Sequence, residues 1–203
     1  MLIKVCGITT TKEATYLNEY KVDFAGMVMF FPKSKRNITE ETAREIISTL
    51  DNGIKKVAVV VAPTLEQIKT IENLGFDYVQ IHGELQEDLL QKINIPILKA
   101  FNVKDISKYE KYRANEKIKG YVFDAVEPGS GKTFDWSLVK DIPRDDKLLL
   151  LAGGLTPENV AKAVSYLHPQ GVDVSSGVEK ENGIGKSPEK IKLFVKTARM
   201  ADQ

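Results

Sequence analysis

The run Val57-Ala58-Val59-Val60-Val61 decides the fold class of this chain. It is continuously apolar, so it lacks the alternation of a half-exposed strand and is typical of a strand covered on both faces of a parallel sheet. Leu148-Leu149-Leu150-Leu151 has the same character. Segments with helical spacing lie between such runs. Their capping residues are Thr39, Thr64, Thr156 and Ser187, and Pro follows the last two. The sequence therefore predicts an α/β fold.

Eight predicted strands follow one another at regular intervals. They begin near Leu2, Asp23, Val57, Asp77, Ile97, Lys119, Leu148 and Gly171. The mean spacing of about 24 residues is close to the minimum for one strand, one helix and two short loops. Both a (β/α)8 TIM barrel and a doubly wound open sheet fit this alternation. An open sheet of this size usually has fewer strands, and no Gly-x-Gly-x-x-Gly follows the first strand, so we predict a single TIM-barrel domain over residues 1–203.

Composition narrows the classes of function. The chain has 203 residues, and 29 Lys and Arg oppose 28 Asp and Glu. A net charge of +1 creates no field that would attract nucleic acid or an anionic membrane, so neither is expected as a partner. Cys6 is the only cysteine, which excludes an intrachain disulfide and a multi-cysteine metal site. Because neither a signal peptide nor a long apolar span is evident, we expect a cytoplasmic protein.

Two of the eight units are longer than the others, and both have their surplus between a strand and the helix that follows it. The extra residues are 31–37 after the second strand and 125–133 after the sixth. In a barrel these are βα loops, which lie at the face where substrates bind. The second loop ends in Gly129-Ser130-Gly131-Lys132-Thr133, but Val126 stands where a P-loop needs its first glycine, so no nucleotide site is predicted.

Polar residues of one parity stand near the ends of four predicted strands. They are Cys6, His82, Asp124 and Asp173. Strand side chains alternate between the barrel interior and the helix layer, so residues of interior parity converge at the top of a barrel. Singly, each has an ordinary structural explanation: a buried small hydrophobe for Cys, a cap or turn for Asp, a carbonyl contact for His. Together, a thiol and a carboxylic acid across one pocket can act as general base and general acid.

Two glycine-containing segments indicate a phosphate site. Gly153 and Gly154 follow the seventh strand, and Ser176 and Gly177 follow the eighth. Loops after these strands hold phosphate in many barrels, with the dipole of a short helix assisting. The alternative is a pair of tight turns. Arg36, in the basic loop after the second strand, belongs either to a solvated charge run or to a second anion site, where its planar fork suits a carboxylate.

Six segments form a specific pattern when taken in order along the predicted strands. They are residues 4–9, 31–36, 79–84, 123–124 with 131–136, 152–155 and 171–179. With this pattern, nearly the whole chain resembles the phosphoribosylanthranilate isomerase family of tryptophan biosynthesis. The resemblance implies a TIM barrel that converts N-(5-phosphoribosyl)anthranilate to its ketose by an Amadori rearrangement, with no metal and no organic cofactor. It also implies a small-molecule phosphoribosyl substrate and a monomer or homodimer.

The resemblance assigns roles to the matching residues. Asp124 would be the general acid that protonates the furanose ring oxygen, and Cys6 the general base that removes the C2′ proton. The implied substrate-binding residues are Arg36 for the anthranilate carboxylate, Gly153, Gly154, Ser176 and Gly177 for the phosphate, and His82 and Asp173 in the pocket lining.

The chain departs from the family pattern in small ways. Lys35 stands where the family often has Pro, which would leave the loop before Arg36 less restricted. The stretch between Asp124 and Gly131 is shorter than in many relatives. Two alternatives stay open: the related isomerase of histidine biosynthesis, which has Asp where this chain has Cys6, and a barrel that binds a phosphosugar without converting it.

Overall fold

The computed structural model describes residues 1–124, 133, 135–140, 142 and 145–202. In this part of the chain, eight parallel strands alternate with helices. The strands are β1 (Leu2–Cys6), β2 (Phe24–Met29), β3 (Lys55–Val61), β4 (Tyr78–His82), β5 (Ile97–Asn102), β6 (Ile118–Asp124), β7 (Leu148–Leu151) and β8 (Gly171–Val174).

Each strand is followed by a helical segment. The α-helices are α1 (Thr11–Glu19), α2 (Glu40–Thr49), α3 (Leu65–Leu74), α4 (Glu87–Lys92), α5 (Tyr109–Arg113), α6 (Ser137–Lys140), α7 (Val160–Leu167) and α8 (Pro188–Ala201). A 3₁₀-helix over Val103–Lys108 precedes α5, and another over Ser176–Val178 follows β8. Within the described residues, no helix is long and apolar enough to span a membrane.

The strands close into a barrel. Each strand from β2 to β8 pairs with its sequence neighbour, and β1 pairs with both β2 and β8. Lys4 of β1 lies opposite Phe24 on one side and Asp173 on the other. A two-residue strand, Asn37–Ile38, adds to the end of β2. This closure confirms the predicted TIM barrel.

Local sequence signals predicted where most strands and helices begin. The predicted strand starts lie within two residues of the observed ones. Thr39, Thr64 and Ser187 accept backbone hydrogen bonds as helix N-caps, with Pro188 at the first position of α8. Thr156 also accepts a backbone hydrogen bond, from Glu158 N at 3.2 Å, but it caps the turn over residues 157–159, and α7 begins only at Val160.

Two apolar cores follow from the alternation along the strands. One lies inside the barrel and contains Phe24, Val57, Val59, Leu98, Ala100, Val122, Leu150 and Ala152. The other, larger core lies between the strands and the helices and includes Ile3, Val5, Val60, Ile81 and Phe123. Because neighbours along a strand face opposite cores, both faces of the sheet are covered, as the continuous apolar runs predicted. The upper end of the barrel interior is where polar side chains replace apolar ones.

Candidate active site

A cavity of about 680 Å³ opens at the C-terminal ends of the strands. Eight of the nine predicted site residues line it. They are Cys6, Arg36, His82, Asp124, Gly153, Gly154, Asp173 and Ser176. The ninth, Gly177, does not line the cavity but follows Ser176 in the short 3₁₀-helix. Of the long loop after β6, residues 125–132 lie outside the described part of the chain, so its predicted position over the site and the Gly129–Lys132 part of its P-loop-like ending are not described.

Cys6 ends β1 and faces the cavity above a buried ion pair. The Lys4 ammonium donates to Asp173 Oδ2 at 2.7 Å, and both side chains are at least nine-tenths buried. Burial raises the pKa of the Cys6 thiol, and the positive charge of Lys4 opposes this rise. Burial works against the charged form of Lys4, but Asp173 and Cys6 outweigh it and raise the pKa of Lys4. Lys4 is therefore an ammonium ion, although it has no exposed surface.

The Asp173 carboxyl is held on one side only. Burial pushes its pKa upward and the charge of Lys4 pushes it back; the 2.7 Å contact supports the ion-pair form. Its other oxygen, Oδ1, is buried and has no hydrogen-bond partner among the described residues. Asp173 thus lies beside Cys6 with one oxygen free to accept a hydrogen bond.

His82 ends β4 and is neutral. Burial, together with the positive charges of Lys99 and Lys4, lowers its pKa to about 3. Its Nε2 lies 2.9 Å from the Gln80 side-chain amide, whose Oε1 has no hydrogen-bond partner among the described residues. A neutral imidazole adds hydrogen-bonding capacity to the cavity without adding charge.

Arg36 reaches the cavity by passing over the end of β1. Gly7 makes this possible, because a Cβ there would lie 2.4 Å from Arg36 Cδ and its φ is +77°. Glu179 fixes the guanidinium, with Arg36 Nε donating to Oε1 at 2.6 Å. Lys35 donates to the other oxygen of Glu179 at 2.9 Å and to the Gly183 carbonyl at 2.8 Å. Lys35 therefore reaches from the loop to the segment after β8, through a side chain that is largely exposed.

The two glycine-containing loops pack against each other. Gly153 and Gly154 have φ of +84° and +64°, which favour glycine. Asn159 shapes this loop by accepting from Thr156 N and donating to the Gly154 carbonyl, and this turn delays the start of α7. Gly177 is required by space, since a Cβ there would lie 1.9 Å from the carbonyl oxygen of Leu155.

The sequence analysis did not single out three buried charged residues at this end of the barrel. Glu179 contacts Arg36 and Lys35, and the Lys186 ammonium donates to the Ser175 carbonyl at 3.0 Å. Lys99 interrupts the otherwise apolar β5 on its outer face, and this break in the pattern is the only sequence signal among the three. The segment that contains Lys186 lies before α8 and carries no local signal; its backbone N–H donates to Glu13, 173 residues away.

The arrangement combines a thiol supported by an ammonium ion, a carboxylic acid at the end of β6, a neutral imidazole and a fixed guanidinium around one cavity. Such a set can move a proton between carbon and sulfur while holding an anionic ligand. Among the described residues, no group of three or more His, Cys, Asp or Glu side chains is placed to hold a metal ion.

Comparison with known proteins gives a consistent result. The model of the family described as N-(5'phosphoribosyl)anthranilate (PRA) isomerase matches residues 3–197. A protein of Geotalea uraniireducens named N-(5'-phosphoribosyl)anthranilate isomerase is 40% identical over 205 residues, covering 97% of this chain and 98% of that protein.

Solved structures agree with the family model. The phosphoribosyl anthranilate isomerase of Thermotoga maritima is 37% identical, with a TM-score of 0.88 over 98% of this chain and 99% of that one. A phosphoribosyl anthranilate isomerase in complex with reduced 1-(o-carboxyphenylamino)-1-deoxyribulose 5-phosphate is 36% identical, with a TM-score of 0.82 and the same coverage. The chain therefore belongs to the N-(5'-phosphoribosyl)anthranilate isomerase family.

Proposed function

We propose that this protein isomerises N-(5'-phosphoribosyl)anthranilate in tryptophan biosynthesis, with Cys6 as general base and Asp124 as general acid. The observation that carries the proposal is that both residues line one cavity together with the two glycine-containing loops and Arg36. The cavity therefore has binding groups for the phosphate, the sugar and the aromatic carboxylate of the substrate.

In the first step, Asp124 donates a proton to the furanose ring oxygen. The bond between C1′ and the ring oxygen breaks, and the lone pair of the anilino nitrogen forms a C1′=N double bond. Asp124 ends β6 at the rim of the cavity, where a carboxylic acid can approach a bound sugar from one side.

In the second step, the Cys6 thiolate removes the proton from C2′. The C–H electrons form a C1′=C2′ double bond, and the C=N electrons return to nitrogen, which gives an enolamine. The enolamine then becomes the ketose when the C2′ hydroxyl loses its proton and C1′ gains one. The protein has to supply only proton transfers and positioning, which its side chains provide.

Different groups of the cavity bind different parts of the substrate, according to the charge of each part. The guanidinium of Arg36, fixed by Glu179, suits the anthranilate carboxylate. The backbone of Gly153, Gly154, Ser176 and the neighbouring Gly177 suits the phosphate. His82 and the free oxygen of Asp173 suit the sugar hydroxyls or the anilino N–H.

An assay with freshly generated phosphoribosylanthranilate, following the loss of its fluorescence, tests the proposal. We expect turnover by the wild-type protein and losses of about 10²- to 10⁴-fold for Cys6→Ser and Asp124→Asn. Asp51→Asn is the matched control, since Asp51 is exposed in the turn after α2, at the opposite end of the barrel. No turnover by the folded wild-type protein would reject the function, and near wild-type turnover by both variants would reject the two roles.

The same preparation distinguishes the alternatives. Turnover of the bisphosphorylated substrate of the histidine-pathway isomerase, without turnover of phosphoribosylanthranilate, would favour that enzyme. Binding of a phosphosugar without any turnover would favour a binding protein. We also propose a cytoplasmic monomer or homodimer; a related structure is described as monomers generated from a dimeric enzyme, and sedimentation equilibrium measures the state here.

A further inference from the structure

Lys4 is a buried ammonium ion directly below the proposed base. It precedes Cys6 by two residues on β1, so both side chains point into the barrel. Lys4 has no exposed surface, and Asp173 holds its ammonium at 2.7 Å. Burying an ammonium ion is costly even when it is paired, so the position calls for an explanation beyond packing.

Gly26 on β2 adjoins both the Lys4 ammonium and the Cys6 sulfur. A Cβ atom at Gly26 would lie 3.0 Å from Cys6 Sγ and 3.1 Å from Lys4 Nζ. Both atoms therefore border the same small space, which only the missing side chain leaves open. Gly26 is not among the glycines with positive φ, so the backbone itself does not demand glycine there.

The charged groups around Cys6 come from four elements. Lys4 lies on its own strand, Asp173 on β8, Lys186 in the segment before α8, and Arg36 in the loop after β2. Lys186 is paired with Glu179 at 3.5 Å. Of these groups, Lys4 has the largest effect in favour of the thiolate, Asp173 opposes it, and Lys186 favours it more weakly.

We propose that Lys4 is a positioning residue of the reaction, whose ammonium, held by Asp173, is shared with Cys6 and stabilises its thiolate. The proposal rests on the proposed function, because it matters for catalysis only if Cys6 is the base. When the thiolate accepts the C2′ proton it becomes a neutral thiol, and Lys4 remains an ammonium ion paired with Asp173. The pair is neutral beside the thiol, and the thiolate adds one negative charge, which the nearby positive charges of Lys4 and, more weakly, Lys186 stabilise.

Alkylation of the protein by iodoacetamide measures the thiolate directly, without substrate. Since Cys6 is the only cysteine, the rate of alkylation against pH gives the titration of one group. In Lys4→Met we expect the midpoint to move up by about 1 to 3 pH units, because an opposite charge at this range has that effect. The alkylation rate at neutral pH then falls at least tenfold, and the rising limb of kcat against pH moves in the same direction.

For three further variants, the proposal predicts in which direction the midpoint of alkylation against pH moves. Asp173→Asn removes the competing carboxylate, so its midpoint should fall below that of the wild type. The double variant Lys4→Met/Asp173→Asn leaves no unpaired buried charge and should lie between wild type and Lys4→Met. Gly26→Ala keeps every charge but crowds both the ammonium and the sulfur with a methyl group, so its midpoint should rise by less than that of Lys4→Met.

Lys99→Met is the control for the loss of a buried lysine side chain, since Lys99 makes no contact with Cys6. Its midpoint should equal that of the wild type. If Lys4→Met does not fold, as judged by circular dichroism, the double variant and Gly26→Ala test the proposal. Folded variants that keep the wild-type midpoint would overturn it. Because alkylation needs no turnover, this result is independent of a failure of the proposed function, which would appear as an inactive wild type with the shifts intact.

Discussion

The positive charges of three buried lysines at the top of this barrel are stabilised by different partners. Lys4 has a carboxylate, Lys186 has a carboxylate and a carbonyl, and Lys99 has carbonyl oxygens and aromatic rings. The Lys99 ammonium donates to the Ala100 carbonyl at 2.7 Å and lies 4.7 Å from the centre of the Phe101 ring. No carboxylate among the described residues lies within ion-pair distance of it. Carbonyls and rings stabilise a cation less than a paired carboxylate does.

Lys99 should therefore make stability depend on pH. Burial lowers its pKa to about 8, with Asp105 opposing this effect. Between about pH 8 and 10.4 the unfolded chain binds a proton that the folded protein does not, so the free energy of unfolding rises with pH in this window, by at most about 3 kcal/mol. Urea unfolding of wild type and Lys99→Met at several pH values measures the difference. Parallel curves for the two proteins would contradict the prediction.

His82 should stay neutral throughout the physiological range. Burial and two nearby lysines hold its pKa at about 3, far below that of an exposed imidazole. We expect its ring carbon and nitrogen resonances to keep constant chemical shifts between pH 5 and 8, with the pattern of a neutral imidazole. The chain has two histidines, so His82→Asn assigns both signals, and His168 provides the reference. A titration of His82 near pH 6.5 would show that the cavity solvates it.

At the scale of elements, Glu179 connects two loops that are remote in sequence. It follows β8 and pairs with Arg36 and Lys35 from the loop after β2, which lie 143 and 144 residues away. Glu179 itself is buried. Because Arg36 is fixed through its Nε, the ends of its guanidinium are left to a ligand. The loops around the cavity therefore support one another rather than acting separately.

Glu179→Gln removes the carboxylate that fixes Arg36 and also pairs with Lys186, while the side chains of the proposed acid and base are unchanged. We expect KM for phosphoribosylanthranilate to rise about tenfold while kcat changes by less than about threefold, because the lost interaction positions the substrate. Lys35→Met is the matched control; its side chain is 56% exposed, so its pairing with the same carboxylate contributes little. An unchanged KM in Glu179→Gln would argue that Arg36 needs no partner.

At the scale of the whole molecule, the barrel interior is a packed core that ends in a polar layer. Leu150 is fully buried in the interior cluster, directly below the cavity face of β7. Interior side chains hold the strands at fixed distances, and these distances determine where the residues at the strand ends lie. Stability and site geometry are therefore linked through the same layer of side chains.

Leu150→Ala should reduce the free energy of unfolding by about 2 to 5 kcal/mol, since the closed barrel cannot collapse around the cavity left behind. Leu193→Ala on α8 is the matched control, because its side chain is half exposed and the loss should stay below about 1 kcal/mol. Chemical unfolding of the three proteins measures both values. Equal losses for the two variants would mean that the interior does not behave as a rigid core.

The sequence by itself determined the features that depend on local pattern. Continuous apolar runs located the strands, Ser and Thr caps located three helix starts, and strand parity brought Cys6, His82, Asp124 and Asp173 together at one cavity. At Thr156 the predicted cap is present, but the regular helix begins later than the cap indicated, because Asn159 closes a turn before Val160.

Only the tertiary structure decided which charged groups meet. Closure of the barrel places β1 beside β8. Lys4 therefore pairs with Asp173, 169 residues away in the sequence, and Glu179 pairs with Arg36, 143 residues away. No periodicity records such pairs, because a repeat of two or 3.6 residues describes only which way a side chain points. The direction of each residue is thus a local property of the chain, whereas its electrostatic surroundings arise when the last strand pairs with the first.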